Sequence, residues 1–187
     1  GAQNCYHKDN FGANTGAISP LMIQSIGAKY VIVGHSDNRS EGDTDAMLKN
    51  KVEFSLNNKL KVVFCIGENK EHKASNKTFE VLENQIINAL DEKFNFKDII
   101  VAYEPIWSIG TGQIPEPDDL LKTTKFIKAI SKKIFKKQKN PIVLYGGSVD
   151  GKNISQFKKL DEIDGFLIGG ASKSNQNFID IIKNYYK

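Results

Sequence analysis

Five short apolar runs in this chain each end on residues equipped for chemistry. Gly34-His35-Ser36 follows Val31–Val33, Gly67-Glu68 follows Val62–Ile66, Glu104-Pro105 follows Ile99–Tyr103, Gly146-Gly147-Ser148 follows Ile142–Tyr145, and Gly169-Gly170-Ala171-Ser172 follows Phe166–Ile168. An imidazole and a carboxylate in such places suit proton transfer. Glycine pairs beside serine let backbone amides approach an anion such as phosphate. One glycine turn after a strand is ordinarily just a turn, so the weight lies in their convergence. The segment AYEPIWSIGTG (102–112) differs in kind. There a carboxylate, Glu104, precedes a rigid proline and then Ile106, Trp107, Ser108, Ile109, Gly110, Thr111 and Gly112. An apolar tip between glycines fits a lid that closes over a ligand.

The elements that must position these residues are legible as alternation. Tyr30–Val33, Val62–Ile66, Ile99–Ala102, Ile142–Leu144 and Phe166–Ile168 read as strands, with Gly1–Tyr6 as the tail of another, and each is followed by a longer amphipathic stretch. Continuous apolar strands alternating with helices predict an α/β fold with a parallel sheet. In such folds ligands bind beyond the carboxyl ends of the strands, where the residues above lie. Ser19-Pro20 reads as a helix start and Gly27 as its stop. Phe79, Leu82, Ile86 and Leu90 form one apolar stripe, and Leu120, Ile127, Ile130 and Ile134 another, both expected to face the core. Lys122, Lys125, Lys128, Lys132, Lys133, Lys136, Lys137 and Lys139 surround the second stripe and are expected to form a solvated face. Strand starts recur at about 33 residues, the pitch of βα units.

Composition removes several classes of function. The 187 residues are 40% apolar, enough for a buried core, and are read as one domain over residues 1–187. No run of about 18 apolar residues predicts a membrane span, and no leader pattern opens the chain. Of the 26 basic residues Arg39 is the one arginine, which argues against a nucleic-acid surface. Cys5 and Cys65 have no metal-ligand spacing and point to a reducing compartment.

The ordered motifs GAQNCY (1–6), GANTGAISP (12–20), VGHS (33–36), CIGE (65–68), AYEPIWSIGTG (102–112), YGGSV (145–149) and GFLIGGAS (165–172) resemble the triosephosphate isomerase family nearly from end to end of the chain. That family is a standard case of tuned acid–base chemistry. The resemblance implies a (β/α)8 TIM barrel of which about six of eight βα units, strands 3–8, are present. It implies interconversion of dihydroxyacetone phosphate and glyceraldehyde 3-phosphate through an enediolate, in glycolysis and gluconeogenesis, with no metal or organic cofactor. By resemblance Glu104 is the base, His35 the neutral electrophile, and Asp37 a supporting carboxylate in the catalytic group. Gly110, Ser148, Gly169 and Gly170 match amides that hold substrate phosphate, and 106–112 matches the lid. Cys65 matches a packing residue beside the acid. Thr15, in a loop from about Asn10 to Ile18, matches a contact to a second subunit, so the resemblance implies a cytoplasmic homodimer.

Departures accompany the match. The family continues GHS with Glu-Arg-Arg, whereas this chain has Asp37-Asn38-Arg39, and Ala17 stands where Asn38's usual ionic partner would be. Both halves of that pair are gone, which implies an altered dimer without a lone charge. No segment corresponds to the family's first strand, which carries an asparagine and a lysine. Two further units of about 33 residues would bring the chain near the roughly 250 of a typical barrel. Hence the expectation includes an alternative, a non-catalytic phosphate-binding barrel protein.

Overall fold

The computed structural model describes residues 1–8, 12–136 and 141–187. Five strands form one sheet in the order β1 (Tyr30–Val33), β2 (Lys61–Ile66), β3 (Ile99–Tyr103), β4 (Ile142–Tyr145) and β5 (Gly165–Phe166), each parallel to the next. Register is set by pairs such as Val31↔Val62, Val62↔Ile99, Ile100↔Ile142 and Leu144↔Gly165. Helices α1 (Pro20–Ser25), α2 (Ser36–Ser40), α3 (Asp45–Asn57), α4 (Lys70–Ala74), α5 (Thr78–Ala89), α6 (Pro117–Phe135) and α7 (Asn175–Tyr186) lie between and after the strands. Because every strand runs the same way, the carboxyl ends of all five, and the loops that follow them, gather at one end of the sheet.

Side-chain caps start several of the helices, α1 at the Ser19-Pro20 step that the sequence suggests. Ser19, Thr44, Asn69 and Ser174 each accept a backbone N–H of the first turn of α1, α3, α4 and α7. Gly27 follows α1 with φ of 86°, a left-handed conformation that glycine adopts without strain. The face of the sheet under the helices carries the larger core, in which Val62, Phe64, Ile66, Val101 and Tyr103 meet Leu48, Leu82, Ile86, Leu120 and Ile127. The opposite face is smaller: Val63, Cys65 and Ala102, flanked by half-buried Ile32, Ile100, Leu144 and Leu167. Alternation of residues between these two faces is the period-two rule of strands.

Four expectations are modified. β5 is two residues long, not Phe166–Ile168, because it pairs on one side alone; one further bond, from Leu167 N to Tyr145 O, extends it. The Gly1–Tyr6 segment contributes a single parallel bridge, Ala2 to Val31, and not a named strand. Phe79 is 44% exposed and stacks at 4.6 Å on Phe126 of α6, so it covers the α5–α6 seam from outside. Lys128 is 6% exposed, with Nζ 3.1 Å from Asp164 and 3.4 Å from Glu162, and so leaves the solvated lysine face. Asp164 in turn accepts the Val143 amide, so that buried charge links α6 to β4. Lys137 and Lys139 lie outside the described residues. Among those described, no helix is long and apolar enough to cross a membrane.

Candidate active site

A cavity of about 720 Å³ opens beyond the carboxyl ends of the strands, with His35, Glu104, Gly110, Ser148, Gly169 and Gly170 on its wall. That volume suits a small-molecule ligand. Residues from the ends of β1, β3, β4 and β5 therefore meet in one cleft, as their spacing in the chain suggested.

Glu104 continues β3 by one residue, its amide donating to Ile66 O at 2.7 Å. Two glycines let it sit there. A Cβ on Gly67 would overlap the Glu104 carbonyl, and one on Gly146 would stand 2.7 Å from Glu104 Cγ. Gly146→Ala is accordingly expected to cost about 1–3 kcal/mol through overpacking, read as a fall in the urea midpoint at unchanged m. The carboxylate is 3% exposed, and its Oε2 has no hydrogen-bond partner among the described residues. Burial pushes its pKa above the ordinary value, and the neighbouring His35 and Cys65 offset part of that rise. Burial and the Glu104 charge also hold the Cys65 thiol well up, so it stays protonated. Such a carboxyl, poor in solvent and partners, is a stronger base than an exposed one.

His35 caps α2. Its Nδ1 accepts the Asp37 amide at 3.2 Å, which leaves the ring proton of the neutral imidazole on Nε2. Nε2 lies 3.5 Å from Glu104 Oε1, inside the cleft. Gly34, with φ of 82°, makes the turn that delivers the ring. Arg39 braces that turn, donating from Nε to Gly34 O at 2.7 Å and from Nη2 to Cys65 O at 3.0 Å. The Asp37 carboxylate is 84% exposed and 3.5 Å from Nδ1, so its backbone N–H makes the closer contact with the ring.

The 106–112 segment begins as a 3-10 turn, Ile106–Ser108. Glu68, 1% exposed, accepts Trp107 Nε1 at 2.8 Å and the Tyr103 hydroxyl at 3.1 Å, while Lys73 Nζ stands 3.4 Å from the Trp107 ring centroid. Beyond Trp107 the segment docks on the turn after β4. Gly112 N donates to Ser148 Oγ at 3.1 Å and Ser148 Oγ donates to Ser108 O at 2.6 Å. Thr111 Oγ1 closes the tip by donating to Trp107 O at 3.1 Å. The Ser148 amide, placed by resemblance among the phosphate donors, points to Ser108 Oγ at 3.3 Å. Ile109 reaches the cleft wall. Thr15 stands exposed on a turn closed by Ala17 N to Asn14 O and is not on the wall of this cleft, and Asn10 lies outside the described residues.

Sequence reasoning noted Glu68 as an acid after a strand but not as the anchor of Trp107. It also passed over Arg39 as a brace and Tyr145 as a partner of the lid. Local spacing does not signal the Glu68–Trp107, Arg39–Cys65 and Tyr145–Ser108 contacts, each of which joins residues more than 25 positions apart.

A family model described as triosephosphate isomerase matches residues 1–185. The triosephosphate isomerase of Thermodesulfovibrio yellowstonii is 39% identical over 184 residues, covering 97% of this chain and 74% of that protein. That of Debaryomyces hansenii is 41% identical over 186 residues, covering 98% and 74%. Among solved structures, triosephosphate isomerase from Bartonella henselae superposes with a TM-score of 0.89 at 34% identity, over 99% of this chain and 75% of that one. The five-stranded parallel sheet with its helices thus corresponds to part of a TIM barrel.

Proposed function

Because the chain belongs to the triosephosphate isomerase family, whose members act on triose phosphates, we propose that His35 and Glu104 carry the family's isomerisation in this chain. One observation carries the reading: His35 Nε2, bearing the ring proton, and Glu104 Oε1 stand 3.5 Å apart on one cleft wall. Glu104 takes a proton from one substrate carbon and returns it to the adjacent carbon. His35 Nε2–H polarises the carbonyl and moves a proton between the two oxygens of the enediolate. Glu104 needs no electrophile of its own, and His35 needs no second proton. The amides of Gly110, Gly169 and Gly170 hold the phosphate while the Ser148 amide stays engaged on Ser108 Oγ, with Ile106, Trp107, Ser108, Ile109, Thr111 and Gly112 closing over it to shed water. Asp37 orients the ring through its backbone N–H, which donates to Nδ1.

Residues 1–187 act as one incomplete barrel domain, in a cytoplasmic protein that pairs with a second copy through the Thr15 turn. The test is a coupled assay for glyceraldehyde 3-phosphate formed from dihydroxyacetone phosphate. Turnover that Glu104 and His35 substitutions leave unchanged would overturn the assignment. The required form of Glu104 is ionised, so its raised pKa places the acid limb of kcat/KM above 4.5, the ordinary glutamate value. A profile with its acid limb at or below 4.5 contradicts that.

A second reading rests on the cleft wall itself. Among the described residues its charged side chains, Asp37, Glu41, Glu104 and Asp150, are all acidic. A phosphate held there by amides alone, with no fixed cation, fits a protein that binds the ligand without turning it over. Tight binding of 2-phosphoglycolate with no product in the coupled assay would support this reading.

A further inference from the structure

We propose that Ser108 is a positioning residue: its buried hydroxyl ties both ends of the lid to the turn after β4 and thereby sets how firmly the lid closes over the phosphate. The proposal deepens the isomerase reading and rests on it. Ser108 is 0% exposed, an unusual setting for a hydroxyl inside a glycine-bearing loop. Its Oγ donates to Gln113 O at 2.5 Å, lies 3.1 Å from Tyr145 Oη, and accepts the Ser148 amide at 3.3 Å.

Donor counting fixes the direction of the middle bond. A serine hydroxyl has one proton and two lone pairs. Gln113 O can only accept, so it takes the proton; the Tyr145 hydroxyl must then donate to Ser108, as the Ser148 amide does. The hydroxyl's full capacity is used. Through Gln113 it holds the far end of the lid, and through its own main chain the near end. The Ser108 carbonyl accepts Ser148 Oγ at 2.6 Å, and that same Oγ accepts Gly112 N. The turn is shaped to allow this approach: a Cβ on Gly147 would stand 2.6 Å from Ser108 Oγ and overlap the Tyr145 hydroxyl. Without the Ser108 hydroxyl, three polar groups on two segments, the buried Tyr145 hydroxyl among them, lose their common partner.

The protein carries one tryptophan, Trp107, next to Ser108, so its fluorescence reads the lid alone. In the unliganded protein, Ser108→Ala is expected to raise acrylamide quenching of Trp107 about twofold or more with an unchanged far-UV spectrum. It is also expected to weaken 2-phosphoglycolate about tenfold, raising KM more than it lowers kcat. Tyr145→Phe removes one donor and should give a smaller change, with the double variant no worse than Ser108→Ala. Quenching within error of wild type in both single variants overturns the proposal, as do additive effects in the double variant. Should Ser108→Ala fail to fold, Tyr145→Phe decides: raised quenching upholds the latch and unchanged quenching refutes it. A wild-type protein that does not bind 2-phosphoglycolate overturns the isomerase reading, while the quenching arm still decides the latch.

Discussion

Glu104→Gln is expected to lower turnover of triose phosphate by about 10²–10⁴-fold, the range for a general base, without lowering stability. The side chains are nearly isosteric, so Gly146 and Gly67 still admit the residue and the strand-end bond to Ile66 persists. What changes is charge. Folding raises the Glu104 pKa, so the folded protein binds this proton more tightly than the unfolded chain does. The resulting destabilisation is fully present above the folded-state pKa and fades as pH falls through it toward 4.5. Glutamine carries no such charge, and its Tm at neutral pH should equal or exceed that of wild type. A variant that is inactive because it has unfolded would show a lowered Tm, and would sink this account. Loss of activity with retained Tm separates the base from a packing residue.

His35→Asn is expected to cost about 10²–10³-fold in kcat, the scale of one preorganised electrostatic donor. Asparagine is the informative choice because the ring has two duties. Its Nδ1 accepts the Asp37 amide and starts α2, and an asparagine oxygen performs that task well. The Nε2–H that faces Glu104 has no counterpart on the shorter amide. Stability should therefore stay within about 0.5 kcal/mol of wild type in urea unfolding while kcat collapses. If stability falls and kcat does not, His35 is a helix cap and not the electrophile.

The sheet was readable because buried parallel strands are short apolar runs, and Val62–Ile66 could hardly be anything else. So was the position of the chemistry, since His35, Glu104 and the glycine turns follow those runs directly. Reading failed where a side chain's fate depends on a distant partner. Lys128 looks like its exposed neighbours until Glu162 and Asp164 arrive from the loop before β5. Phe79 fits the helical stripe, yet Phe126 draws it outward. β5 is shorter than its apolar run because one-sided pairing holds fewer residues. Ser108 was read as part of a lid, but its three partners come from two other points in the chain. Pattern reports local periodicity, and these contacts have none.

The strand order, in which every strand pairs with its successor, also bears on how the chain folds. Paired residues lie about 20–40 positions apart in sequence, so each pairing closes a loop of modest entropy and needs no contact between the termini. Assembly can then start at β2 and β3, the most fully buried neighbours, and spread outward one unit at a time. Substitutions at Phe64 or Val101 should slow refolding, whereas those beside the two-residue β5 should mainly hasten unfolding.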